Sequence, residues 1–508
     1  MTTETTATPE PVSEVFSAAE ARRASRNAGA IAAARIISSA AQFGWQLILS
    51  RLLGATEFGI YARVGALFAL GATVTSFALS LIVIRDVARR PETAGRYLSA
   101  TLVIQTVLGL IAYLGINASA LSYDSALRGF IAVAGLSLFI DALGNMCYDQ
   151  LLAQEKMVAT SVVDVAQILI RIGLAALALW FGFGLIGVYV VTIITGLGRS
   201  AFLWILLLRT GVRPKFPVDW TIARPLLINS LPLAFSAFIN NAYVQINKLL
   251  TGGLLTDADT GHLNVALVII SGVVDILSTT ILIAIYPMMS RVYRGDGQDS
   301  TFRFMVEKLA FFTLLIGLPI GLVFTIFAMQ IIVPLFGVAY TATAAIVRVL
   351  IWYAVLTMIN NVFAQALYVQ NRQRYMVAVR IVGLVLELVL SLLLLPRIGV
   401  IGAALATVGS ELLVLILLVR DFHFDFALLP RLLRLAAVSL IVVLAMLALG
   451  SLNAILGMIG GAMVFFGGVV VGHVLAGDDW DLVYRLVAAV PGGALILRYW
   501  HREVTLNW

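Results

Sequence analysis

Eleven ionisable side chains stand inside long apolar runs: Arg35, Arg63, Asp141, Asp164, Arg171, Arg199, Asp275, Arg348, Arg380, Glu387 and Glu411. A guanidinium presents a planar fork that matches phosphate oxygens and keeps its charge. A carboxyl in apolar surroundings can hold or release a proton. In "DVAQILIR", residues 164–171, Asp164 and Arg171 are seven apart. On a helix that spacing leaves them about 20° apart in angle and about 10 Å apart along the axis, so they share a face, with Gln167 between them. "RIVGLVLE", residues 380–387, repeats the spacing with Arg380 and Glu387 and the signs reversed. Two roles are open to these pairs: neutralising one another across helix contacts, or lining a pathway and switching partners. Asp141 and Asp275 are lone acids, suited either to proton coupling or to a hydrogen-bonded structural role. Asn240, Asn241, Gln245 and Asn247, followed by Lys248, form an amide-rich stretch. Amides both donate and accept and so suit sugar hydroxyls; bonding between helices is their other use.

The frame that must position these groups is a membrane frame. The chain has 508 residues, 61% hydrophobic and 12% charged, against roughly 25% charged in soluble domains. A span needs about 20 mainly apolar residues, and about fourteen such runs follow one another between residues 27 and 476. They are too long for barrel strands, so the fold expected is an all-α integral membrane bundle. Residues 1–26 read as a cytoplasmic tail, 27–210 as a first set of six spans, 211–224 as a cytoplasmic linker, 225–419 as a second set of six, 420–476 as two further helices and 477–508 as a cytoplasmic tail. With Met1 inside, only Arg51, Arg128 and Arg397 of the 34 Lys and Arg fall in outward segments. Cytoplasmic loops are the basic ones, so both termini are expected in the cytoplasm and the chain in the cell membrane. The net charge of +7 is spread over inward loops rather than gathered in a patch, which argues against nucleic acid.

The two sets of six look like copies. "GLIGVYVVT" at 184–192 and "GVIGAALAT" at 399–407 share their glycine and threonine spacing, and "QEKMVA" at 154–159 is echoed by "RQRYMVA" at 372–378. Parallel repeats with a site between them near the midplane are a transporter arrangement.

"SRLLGATEFGIYA", "LLAQEKM", "LPLAFSAFINNAYVQINKLLTGGLLTDADTGHLNVA", "YPMMSRVY", "LFGVAYTATAAIVRVL" and "LPRIGVIGAALAT" occur in that order along the chain. The series resembles the polysaccharide flippases of the multidrug/oligosaccharidyl-lipid/polysaccharide (MOP) superfamily, over residues 27–476. The resemblance implies two six-helix lobes around a central cavity with alternating access. It also implies transfer of an undecaprenyl-pyrophosphate-linked oligosaccharide from the inner to the outer leaflet for cell-surface polysaccharide synthesis. In that reading Arg35 and Arg63, in spans 1 and 2, border the cavity and take the anionic head with Arg171 and Arg380. Asn240, Asn241, Gln245 and Asn247 take sugar, and Asp141, Asp164, Asp275 and Glu387 serve coupling or gating. The chain departs from the family at Asn247, which stands where an acid is common. Partners expected are the lipid-linked oligosaccharide and membrane lipids, with the chain a monomer beside polysaccharide polymerase and export proteins.

A cation-coupled drug exporter of the same superfamily and a membrane-embedded glycan-processing enzyme are the alternatives. The first wants an acid-rich cavity, whereas the spans hold as many cations as acids. The second wants a large outer loop with catalytic carboxylates, whereas the outward segments are short. No catalytic residue, cofactor or metal is expected: the four histidines lie in separate segments, Cys147 is single, and "GFGLIG" at 182–187 lies between two spans with no βαβ context. The glycine pairs Gly317/Gly321, Gly457/Gly461 and Gly468/Gly472 fit close helix packing.

Overall fold

The computed structural model describes residues 18–122, 125–293, 300–422, 429–475 and 479; side chains are described from residue 36 onward, apart from residues 122, 126, 276–288, 291, 300 and 421. Fourteen long helices run in order through the described residues: α1 Ala18–Ser76, α2 Leu79–Arg89, α3 Ala94–Ser119, α4 Ser125–Ala153, α5 Met157–Trp180, α6 Gly184–Arg209, α7 Trp220–Leu254, α8 Asp257–Val292, α9 Ser300–Phe336, α10 Thr343–Val369, α11 Gln373–Ile398, α12 Val400–Phe422, α13 Leu429–Gly450 and α14 Ala454–Val471. Three-residue 3-10 turns at 91–93, 120–122 and 338–340 join some of them, and no strand occurs among the described residues.

Twelve stretches among the described residues are long and apolar enough to cross a membrane. One of them, Ile36–Arg89, is 54 residues long and breaks at Gly54 (φ 73°, ψ 178°), so it supplies two spans. Helix α8, 36 residues long, is the other span expected. The all-α membrane fold and about fourteen crossings therefore stand. Residues 18–26, expected in the tail, belong to α1; residues 1–17 and 480–508 of the expected tails lie outside the described residues.

The helices begin and end where backbone groups find partners. Asp219 caps α7 by accepting from the Thr221 amide, and Asn453 caps α14 by accepting from the Ile455 amide. Side-chain oxygens of this kind satisfy amides that the first helical turn leaves unbonded.

The sequence repeat has a conformational twin. Gly184 and Gly399 both take positive φ, 54° and 65°, which lets one helix end and the next begin within a few residues. The second glycine of each motif packs back on the preceding helix. A methyl on Gly187 would come 3.1 Å from Ala178 Cβ, and one on Gly402 would come 2.6 Å from the Leu394 carbonyl carbon. Upstream, Glu155 and Asn371 take φ of 61° and 58°. The Lys156 amide bonds Leu151 O at 2.9 Å and the Arg372 amide bonds Leu367 O at 2.9 Å, the same helix-ending bond in both copies.

The chain forms two compact units. The first comprises Met1–Gly272, Val333–Ile346 and Arg374–Ser410, the second Val273–Ile332, Val347–Gln373 and Glu411–Trp508. In the second, α9, α13 and α14 share a core of Phe311, Phe312, Phe327, Val442, Met446 and Phe465. Phe327 sits at a kink in α9, its ring wedged where a methyl on Gly450 or Gly457 would lie 2.7 or 2.5 Å away. Gly317 and Gly321 face Val355 and Trp352, so the small residues serve internal packing. Asp479, with a side chain 1% exposed, ties Lys308 of α9 (3.0 Å) to Arg431 of α13 (3.1 Å).

The Gly402 contact is with backbone, which cannot rotate away, whereas Gly115 has nothing within 4 Å. Gly402→Val is expected to cost ~1–3 kcal/mol of stability by overpacking, and Gly115→Val close to nothing. Thermal unfolding in detergent micelles checks both.

Candidate functional site

A buried polar node of the first unit is built on Asn247 of α7. Its amide nitrogen donates to Glu387 Oε1 (2.7 Å) and to Thr407 Oγ1 (2.6 Å), and Ser391 Oγ donates to its oxygen (2.7 Å). Thr407 Oγ1 also lies 3.1 Å from Glu387 Oε1. All four side chains are buried, Glu387 and Ser391 at 0% exposure. Three helices, α7, α11 and α12, thus meet at a carboxyl ringed by amide and hydroxyl groups. Of the four, Glu387 alone can change charge. One turn earlier on α7 the Tyr243 hydroxyl meets Ser410 Oγ at 2.8 Å, and the Arg380 guanidinium stands 5.4 Å from the centre of the Tyr243 ring. Arg380 and Glu387, placed on one face by their spacing, therefore both turn toward α7.

A second cluster lies among α4, α5 and α6. Arg199 Nε donates to Asp164 Oδ1 (2.7 Å) and Nη1 to Asn145 Oδ1 (3.1 Å), and its guanidinium sits 5.7 Å from the Tyr148 ring centre. Asp141, one turn before Asn145, is exposed. Asp164 shares a helix face with Arg171, but its ion pair is with Arg199 from the neighbouring helix. At about 10 Å along one helix, Arg171 cannot compete with a guanidinium delivered at contact distance. Arg171 is half-buried, and its Nε is buried without a hydrogen-bond partner. It has no ion pair among the described residues.

A third region gathers at one end of the first unit. Arg63, 7% exposed, donates from Nη1 to Asp257 Oδ1 at 3.1 Å. The backbones beside this pair touch: a methyl on Gly59 would overlap the carbonyl oxygen of Asp257, and one on Gly261 would overlap that of Ala55. The exchange is reciprocal, because Ala55–Gly59 and Asp257–Gly261 occupy equivalent turns at the start of a span. Arg51 donates to the carbonyl oxygens of Leu335 (2.8 Å) and Pro334, the Tyr340 hydroxyl donates to Ser50 O (3.0 Å), and His262 Nδ1 meets Thr343 Oγ1 at 3.0 Å.

The amide stretch of α7 does not act as one ladder. Asn241 donates to Ala69 O (2.9 Å) and Thr73 Oγ1 (2.5 Å) of α1, while Asn247, on the other side of the helix, serves α11 and α12. Asn240 is exposed and bonds back to Ser236 O at 2.9 Å. Gln245 Oε1 is buried without a partner. Asp275 is exposed on α8, in the second unit. The Arg35 side chain lies outside the described side chains. Arg199, Asn145, Ser391 and Thr407 joined these clusters without being singled out as site residues. Arg199 stands among the ions inside spans, though the sequence assigns it no role, whereas hydroxyls in apolar runs carry no such signal.

The polysaccharide biosynthesis protein family matches residues 48–345. The chain is 26% identical over 201 residues to an uncharacterized membrane protein of Methanocaldococcus jannaschii, an alignment covering 38% of this chain and 39% of that protein. It is 21% identical over 387 residues to the probable low-salt glycan biosynthesis flippase Agl15 of Haloferax volcanii, covering 74% of this chain and 79% of the relative. Among solved structures, a lipid II flippase MurJ in an inward closed conformation has a TM-score of 0.69 at 13% identity, covering 87% of this chain and 98% of that one. A multidrug resistance MATE family transporter of the MOP superfamily, inward-facing, has a TM-score of 0.59 at 14% identity, covering 76% and 93%. The structural likenesses establish a fold shared with these transporters.

The node at Asn247 sets an expectation of its own. Asn247→Leu removes a donor from a buried carboxyl and another from the Thr407 hydroxyl and is expected to cost about 1–3 kcal/mol, read as a lower unfolding temperature in micelles. Ser391→Ala, which removes one donor from the amide, is expected to cost less.

Proposed function

We propose, because the chain belongs to the polysaccharide biosynthesis protein family, that it flips a lipid-linked oligosaccharide across the cell membrane by alternating access. The finer reading is an undecaprenyl-pyrophosphate-linked oligosaccharide moved from the inner to the outer leaflet, with both termini in the cytoplasm as the basic loops require. The observation that carries the reading is Arg171. A cation in a span costs roughly 2.5–3.5 kcal/mol on insertion scales unless it faces water or an opposite charge. Arg63 and Arg199 have carboxylates at contact distance, and Arg171 has none among the described residues. A pyrophosphate head supplies such a charge, and Arg35 and Arg380 are proposed to share it.

In this orientation the seam at Gly59, Gly261 and Arg63–Asp257 closes the outer side, so Arg63 acts as a latch residue in the state described. Glu387 is proposed as the coupling group: the one titratable member of its node, it can exchange a proton or a small cation as Asn247, Ser391 and Thr407 reorient. Asp141 and Asp164 modulate the charge around Arg171. The drug-exporter alternative gains little from the first unit, where Arg63 and Arg199 already neutralise Asp257 and Asp164. One relative is a probable glycan flippase and the solved structures that share the fold are a flippase and a transporter, which favours transport over glycan processing.

The test is translocation of a fluorescent lipid-linked oligosaccharide in proteoliposomes. Arg171→Gln and Arg35→Gln are expected to lower the rate at least about tenfold with folding retained, Arg171→Lys less, and Glu387→Gln to abolish the response to an imposed ion gradient. Wild-type rates in Arg171→Gln would overturn its role. For the latch, Thr260, 0% exposed, is changed to Cys in a Cys147→Ser background. An impermeant maleimide is expected to label it slowly, and about tenfold faster after Arg63→Gln, equivalent to ~1.4 kcal/mol of lost closure.

A further inference from the structure

Two basic segments far apart in sequence are clasped together at one face of the first unit. Residues 85–96 and 209–224 hold eight cations, Arg85, Arg89, Arg90, Arg96, Arg209, Arg213, Lys215 and Arg224, against three acids, Asp86, Glu92 and Asp219. The clasp is main chain: the Lys215 amide donates to Gly95 O at 3.2 Å, and a methyl on Gly95 would overlap the carbonyl oxygen of Arg213. Val212 packs against the core that includes Val87, Ala94 and Leu226. The linker is thereby fixed against the α2–α3 junction, and its charges add to those of Arg89 and Arg90.

Two of the three acids are already engaged. Asp86 takes Arg85 at 2.7 Å, and Asp219 takes Arg96 at 3.6 Å. Hydrogen bonds from the Thr221 hydroxyl and amide hold the Asp219 carboxyl below its usual range, so it stays charged. Arg89, Arg90, Arg209, Arg213, Lys215 and Arg224 are exposed, and none has a carboxylate within ion-pair distance among the described residues. Glu92, also exposed, is the one acid left among them. Beside these cations Phe216 and Trp220 are 61% and 70% exposed; tryptophan settles at headgroup depth, and an apolar ring beside it can enter the acyl boundary.

We propose that this face is a docking surface for anionic phospholipid headgroups of the surrounding leaflet, with Arg89, Arg90, Arg213 and Lys215 contacting phosphate and Phe216 and Trp220 seated among the headgroups. Unpaired cations beside interfacial aromatics fit an anionic bilayer surface. The orientation proposed above puts the face in the cytoplasm, but lipid capture does not depend on that orientation or on transport.

The experiment uses the full chain in neutral detergent micelles, comparing thermal unfolding with added dioleoyl phosphatidylglycerol, phosphatidylcholine or inorganic pyrophosphate. Phosphatidylglycerol is expected to raise the midpoint by at least about 3 °C as a ligand of the folded state. The rise should exceed that with phosphatidylcholine and shrink at high salt. The variant Arg89→Gln/Arg90→Gln/Arg213→Gln/Lys215→Gln should keep the basal midpoint and lose the excess, while Arg374→Gln, an exposed cation elsewhere, should keep it. If the fourfold variant unfolds early, Arg213→Gln/Lys215→Gln alone, read by native mass spectrometry of bound phosphatidylglycerol, gives the same comparison. An unchanged excess in the variants, an equal effect of phosphatidylcholine, or reproduction of the rise by pyrophosphate alone would each overturn the proposal.

Discussion

Hydrocarbon offers a charged or strongly polar side chain nothing to bond, and that constraint decides which helices of this protein must meet. Each such group in a span either finds a partner on another helix or faces water or a ligand. Arg199 binds Asp164, Arg63 binds Asp257, and Asn247 gathers Glu387, Ser391 and Thr407. Apolar packing against lipid-like neighbours is permissive about register, whereas these contacts are not. The polar groups act as addresses in a bundle whose apolar surfaces would fit in several ways.

Helix α7 shows how addresses become mechanism. Six residues separate Asn241 from Asn247, enough to turn the second amide well away from the first. One side of the helix is bonded to α1 and the other to α11 and α12. A helix held on both sides passes displacement from one contact to the other, and Glu387 can alter one of those contacts by changing its charge. If Glu387 is the coupling carboxyl proposed above, it acts directly on a helix that also packs against α1, with no long relay between them.

Much of this was legible in the sequence, for physical reasons. Spans are dictated by transfer from water to hydrocarbon, a property of composition that needs no knowledge of neighbours. The repeat was legible because glycines at positive φ and at helix contacts tolerate no substitute, and Gly184, Gly187, Gly399 and Gly402 keep that mark. Partner choice was not legible. Asp164 and Arg171 share a face, yet an ion pair is made by the nearest opposite charge in space, and Arg199 arrives from the next helix. Asn240, Asn241, Gln245 and Asn247 read as one strip because adjacency in sequence hides the direction each side chain takes. Ser391 and Thr407 were hidden because hydroxyls can bond their own helix backbone at little cost.

The seam between Gly59 and Gly261 is made of main chain on both sides. A seal built from side chains can loosen by rotamer changes, one residue at a time, on the nanosecond scale. Backbone against backbone has no rotamer to change. Parting it requires two helices to separate as bodies, a microsecond-to-millisecond motion. In the transport reading proposed above, leak-tightness would rest on how rarely these helices part, and the absence of two methyl groups would be what insulates the bilayer's ion gradient.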